Sequence, residues 1–210
     1  MEGKFIVFEG ISGSCKGTQA RRTVQYLQEK DEYNNILITP EPTRSEYGLK
    51  VRALMREHRD HKENPENHAR EYLDCFLKDR IDHQKLIDEN LRQGVHVLGV
   101  RYYHSTLVHQ QSPTITVEEI ILRHQEAGIR HPDLTIILDV LPNRALGRIT
   151  NRDEKGVYET LGRLGESRDR YLQLPAQLPD KNIVTVFGQC SIDDTFQEYK
   201  PFLDQLFKVT

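Results

Sequence analysis

Cysteine is scarce in this 210-residue chain: Cys15, Cys75 and Cys190 are odd in number and far apart. Such spacing supports neither a disulfide framework nor a zinc site. Free thiols are the plain reading, and with them a cytoplasmic location. Long apolar runs are missing too, so no segment has the length of a bilayer span, and the start MEGKFIVFEG has only a short strand-like run and no cleavage pattern. The formal net charge is just −3, which gives the whole chain no attraction for nucleic acid or an anionic membrane. No internal repeat or low-complexity tract is present, and scattered Gly and Pro support no domain boundary. What remains is an ordinary globular balance, 37% apolar and 29% charged, long enough for one domain over residues 1–210 with a full core.

Five short, apolar, β-branched runs read as strands: KFIVFE, NILIT, VHVLGV, LTIILDV and NIVTVF. Helical spacing fills much of the intervening chain, notably residues 66–92 and 191–207. Strands apolar at successive positions and separated by helices predict a parallel sheet covered on both faces. The charged segment NRDEKGVYETLGRLG, residues 151–165, is either a solvated helix or a mobile lid.

The loop after the first strand, EGISGSCKGTQ at residues 9–19, has nearly the pattern G-x-x-x-x-G-K-[ST]. Backbone N–H groups at the head of a helix favour an anion, glycines allow close approach, and Lys16 reaches outer phosphates. Gly10, Gly13, Ser14, Cys15, Lys16, Gly17 and Thr18 are therefore the candidate phosphate-binding residues. A chance Gly/Ser turn is the alternative; the strand-loop-helix setting and Lys16 speak against it. Cys15 stands where the last glycine of the pattern belongs, and a positive φ there costs roughly 1 kcal/mol or more. Gly17 after the lysine resembles the loop of adenylate kinases.

Four further segments, with this loop, resemble the thymidylate kinase family along nearly the whole chain. PEPTRSEYGLKVRALM (40–55) is similar to the family's Arg-Glu-Pro-Gly-Gly-Thr segment, through Glu41, Pro42, Thr43 and Arg52. YLDCFLKDRIDH (72–83) puts Phe76 and Arg80 on one helix face. GVRYYHSTLVHQQ (99–111) resembles Asp-Arg-Tyr-x-x-Ser-x-x-Ala-Tyr-Gln, with Arg101, Tyr102, Ser105 and Gln110 matching. PDLTIILDVLPNRALGRITNR, followed by VYETLGRLGESRDRYLQL, resembles the family's later strand, its arginine-bearing helix and a lid at about 151–165.

The resemblance implies a three-layer α/β/α P-loop fold, a five-stranded parallel sheet and a helical lid. It implies phosphoryl transfer from ATP, with Mg²⁺, to dTMP, by a homodimer that binds small nucleotides and neither nucleic acid nor membrane. Lys16, Arg101, Arg148 and Arg152 are implied at the transferring phosphates, with Lys155 beside them in the lid. Arg52 is implied on the acceptor phosphate, Phe76 and Arg80 on the base, and Glu41, Tyr102, Ser105 and Gln110 around the acceptor. No residue is assigned as a metal ligand. Three positions depart from the pattern on the phosphate side: Ser12 and Val100 replace acidic residues, and Cys15 replaces glycine. They leave two alternatives open, a nucleotide-binding chain without turnover and a kinase for another pyrimidine deoxynucleotide. His104 and His109 are read as neither metal ligands nor bases, and the other histidines as surface or satisfied core residues.

Overall fold

The computed structural model describes residues 2–30, 35–149, 156–179 and 181–208. Strands β1 (Phe5–Glu9), β2 (Ile36–Pro40), β3 (His96–Val100), β4 (Leu134–Asp139) and β5 (Ile183–Phe187) form one parallel sheet in the order β2-β3-β1-β4-β5. Each coincides with a run predicted from the sequence. β1 is buried at every position, which is why its five residues show no polar alternation.

The pleat sends successive β1 side chains to opposite faces. Phe5 and Val7 join one core, with residues of α3 (Ala69–Arg92), α4 (Tyr103–His109), α5 (Val117–Glu126), α6 (Pro142–Ile149) and α7 (Leu161–Gln177). Ile6 and Phe8 join the other, with α1 (Lys16–Gln28) and α8 (Ile192–Phe207). Helices on both faces of one sheet make the three-layer α/β/α architecture; α2 (Glu46–Asp60) packs along α3. Among the described residues no helix is long and apolar enough to cross a membrane.

β1 is central, paired with β3 on one side and β4 on the other, and the chain passes from the β2-β3 half to the β4-β5 half by crossing over it. Ligands of such sheets bind where strand order reverses, at the carboxyl ends of the strands. The register pairs Phe8 with Val100 and Glu9 with Ile137, so the loop after β1 leaves the sheet directly beside Arg101.

Candidate active site

The loop after β1 wraps the first turn of α1. Gly13 has φ +82°, and a Cβ there would sit 2.3 Å from the Ala145 carbonyl oxygen on α6, so only glycine fits. Cys15 caps α1 in the left-handed region, φ 65° and ψ 27°. The strain foreseen for a Cβ at that position is thus present. Replacing Cys15 by Gly should raise Tm by roughly 2 °C, because release of about 1 kcal/mol slightly outweighs the added freedom of the unfolded chain. A thermal melt that is unchanged or lower would contradict this.

Lys16 is buried, and its ammonium donates to the Gly10 and Ile11 carbonyls (2.8 Å each) and to Ser14 Oγ (3.4 Å). Around the loop opens a cavity lined by Ser12, Gly13, Cys15, Lys16, Gly17, Thr18, Arg21, Val100, Arg101 and Arg148. Among the described residues, four cations and no carboxylate line it. Arg148 also donates to the Gly13 carbonyl at 3.3 Å, which ties α6 to the loop.

A second, more enclosed cavity of about 170 Å³ lies beside it, roughly ten times the space one water needs. Phe76, Arg80, Glu41, Tyr102, Ser105 and Gln110 line it, so the structure brings these six expected residues together. Met55, Pro42 and Phe76 give it an apolar wall. Gly156, Val157, Tyr158 and Glu159 also line it, and Tyr158 Oη accepts from Gln110 Nε2 at 3.1 Å. The 151–165 segment therefore divides: 156–160 is a loop against the cavity and 161–165 begins α7. Arg152 and Lys155 lie outside the described residues.

Arg80 and Glu41 form a buried ion pair, with side chains 1% and 2% exposed. Oε2 of Glu41 accepts from Arg80 Nε at 2.9 Å and Nη2 at 2.6 Å, while Oε1 meets His83 Nδ1 at 3.0 Å. Both oxygens are engaged, so Glu41 steadies Arg80 from the cavity wall. One residue earlier on α3, Asp79 accepts from the Thr43 amide (2.8 Å), Thr43 Oγ1 (2.5 Å) and Ser45 Oγ (2.7 Å). Positions 79, 80 and 83 together pin the loop 41–45.

Arg52 is not brought into this cavity. It is exposed, donates to the Pro42 carbonyl, and lines a neighbouring groove that shares Pro42 as its wall. A periodicity that places Arg52 on α2 says nothing of which side of Pro42 it takes.

Arg101 and Ser12 line both cavities. Arg101 has φ 71°, an unusual conformation for a side chain with a Cβ. Its Nη1 reaches Ser105 Oγ (3.0 Å) and Tyr171 Oη (3.2 Å), and its Nη2 reaches Ser12 Oγ (3.3 Å). Behind it stands Glu9, the last residue of β1. This fully buried carboxylate accepts from the amides of Tyr102 (2.7 Å) and Ser105 (3.2 Å), Ser105 Oγ (2.8 Å) and Tyr171 Oη (3.0 Å). Burial pushes its pKa up, and the Arg101 guanidinium opposes that shift. Glu9 thereby fixes the start of α4 and the loop carrying Arg101. An acidic residue ending a wholly buried parallel strand was the available signal.

His109 also lines the second cavity; burial, then Arg101 and Lys16, hold its pKa well below the ordinary histidine value. His104 is fully buried and stacks on Tyr103 at 3.9 Å. The Tyr102 hydroxyl and His104 Nδ1 are buried without a partner among the described residues.

A divalent cation would need oxygen ligands in the phosphate cavity. Ser12 and Thr18 offer hydroxyls, Val100 offers nothing, and Asp139 at the end of β4 is held by Arg168 through bonds of 2.5 and 2.9 Å. Among the described residues the group of three possible ligands is His58, His68 and Glu71, which does not line this cavity. The described residues there, two neutral hydroxyls without a carboxylate, do not by themselves hold Mg²⁺.

A glycine-bearing loop between β1 and α1, a buried lysine within it and a cavity at the strand ends define a P-loop phosphate-binding protein. The thymidylate kinase family model matches residues 8–199, and the chain belongs to that family. It is 33% identical over 213 residues to the thymidylate kinase of Carboxydothermus hydrogenoformans, covering 98% of this chain and 99% of the relative. It is 32% identical over 196 residues to a probable thymidylate kinase of Thermococcus onnurineus, covering 90% and 92%. With the thymidylate kinase of Leptospira borgpetersenii it shares 33% over 196 residues, covering 92% and 90%.

Proposed function

We propose that this chain transfers the γ-phosphoryl group of ATP to dTMP, giving ADP and dTDP. The observation that carries the reading is Arg101, which lines the phosphate cavity and the second cavity at once. Lys16 and the amides at the head of α1 hold the donor phosphates. The acceptor base lies against Phe76 and Arg80, and its phosphate points at Arg101. An acceptor phosphate oxygen forms the new bond to the γ-phosphorus as the bond to the ADP oxygen breaks, and that oxygen leaves with the electron pair. The attacking oxygen carries no proton at neutral pH, so no general base is needed; positioning and charge neutralisation supply the catalysis.

The described side chains of the phosphate cavity offer Mg²⁺ the Ser12 and Thr18 hydroxyls and no carboxylate. The protein's share of charge neutralisation in this proposal rests on Lys16, Arg21, Arg101 and Arg148, with Arg152 and Lys155 assigned to the lid. Arg52 joins the acceptor phosphate only on leaving the Pro42 carbonyl. Tyr102, whose buried hydroxyl has no partner among the described residues, and Ser105 and Gln110 surround the acceptor. Exposed Leu49 and Leu86, on one groove of α2 and α3, support the homodimer as a further part of the proposal.

ADP release measured with dTMP, dUMP, dCMP and UMP tests the acceptor. An Arg80 N–H meets a carbonyl at the pyrimidine 4-position but clashes with an amino donor there, so dTMP should exceed dCMP by about 10²-fold in kcat/KM. Equal use of dCMP and dTMP would contradict the assignment.

A further inference from the structure

Hydrogen-bond accounting around Arg80 points to a residue that no motif marks. His124 lies on α5, 44 positions from Arg80, and its Nε2 stands 2.7 Å from Arg80 Nη1. Its Nδ1 stands 2.7 Å from the Ile120 carbonyl. A carbonyl only accepts, so Nδ1 carries the proton and Nε2 presents a lone pair to the guanidinium. The ring is 4% exposed, and burial beside Arg80 pushes its pKa down to about 3. The acceptor form is therefore the one present at neutral pH.

A guanidinium has five N–H donors in fixed directions. In Arg80, Nε–H and one Nη2–H go to Glu41, and the two Nη1–H go to His124 and to Thr106 Oγ1 at 3.3 Å. One Nη2–H is left on a side chain that lines the cavity. Glu41 on one edge and His124 on the other hold the plane, and the Tyr102 ring lies under it at 5.3 Å. Without His124, Nη1 would have a surplus donor free to turn toward the ligand or draw the plane out of register.

We infer that His124 is a positioning residue for base selection: it occupies Nη1 so that Arg80 shows the acceptor nucleotide a single N–H in a fixed direction. The ligand class is a pyrimidine monophosphate with a carbonyl at position 4. This inference rests on the dTMP reading above and names the residue that sharpens it.

The test is calorimetric binding of dTMP, dCMP and ATP to the full native chain, His124→Leu and His124→Gln, with thermal melts of each. Leucine removes the acceptor and should weaken dTMP binding about 10-fold. Its dTMP-over-dCMP preference should fall by a similar factor, while ATP affinity stays unchanged. Glutamine restores an acceptor oxygen and should return dTMP affinity to within about threefold of native. Should the leucine variant not fold, Thr106→Val removes the longer bond to the same Nη1 and should shift the same ratio, by less. Native dTMP affinity in the leucine variant, an equal loss of dTMP and ATP binding, or glutamine no better than leucine would each overturn the role of His124. A native chain that binds ATP but not dTMP would instead overturn the dTMP reading itself, and this inference with it.

Discussion

Replacing Arg101 by alanine is expected to lower kcat for dTMP-dependent ADP release about 10³-fold, within the range set by removing one transition-state cation. Among the described residues Arg101 and Ser12 are common to both cavities, and of these two Arg101 brings charge to that junction. Lysine should not rescue it, because the guanidinium reaches Ser12, Ser105 and Tyr171 from one plane and a single ammonium cannot. The backbone adds a control. At φ 71° a glycine is relaxed and an alanine is strained, so Arg101→Gly should melt above Arg101→Ala by roughly 2 °C while being just as inactive. Initial rates and thermal melts on the three variants check both statements. Activity within tenfold of native in Arg101→Ala would remove Arg101 from the reaction.

Arg80→Leu should produce the largest fall in stability. It strands the Glu41 carboxylate in a wall where it is 2% exposed, with His83 left as its partner among the described residues. Breaking one side of a buried pair costs about 3–5 kcal/mol, which for a chain of this size is a Tm drop of roughly 6–20 °C. The double variant Arg80→Leu/Glu41→Leu removes the orphaned charge and should recover most of that loss, since an apolar pair is close to neutral with the ion pair it replaces. It should not recover dTMP binding. That split separates the structural work of the pair from its work on the base. Recovery of both together, or of neither, would contradict the division.

The local parts of this molecule were legible in the sequence for definite reasons. β1, β3 and β4 are buried runs bounded by polar residues, and a strand followed by Gly13 and Lys16 at the head of a helix admits few other folds. The opening strain at Cys15 could also be foreseen, because the loop pattern fixes which position turns left-handed. Long-range pairings were not legible. Nothing in the spacing of α3 and α5 says that Arg80 meets His124, or that a bland histidine at 83 holds Glu41. The side of Pro42 taken by Arg52 depends on how α2 leans on α3, and periodicity carries no record of that. Glu9 was visible as a residue and invisible as a keystone, since its four donors come from Tyr102 just before α4, from α4 and from α7.

The departures at Ser12, Cys15 and Val100 meet in one place, a phosphate cavity whose described lining holds four cations and no carboxylate. Whether such a cavity turns over is the central question. The most direct measurement is ADP release from ATP, Mg²⁺ and dTMP, by the native chain and its Val100→Asp variant side by side. The account predicts dTMP-dependent release by the native chain. Release confined to Val100→Asp, with the native chain silent, would contradict it and leave a nucleotide-binding chain retired from catalysis by its missing carboxylate.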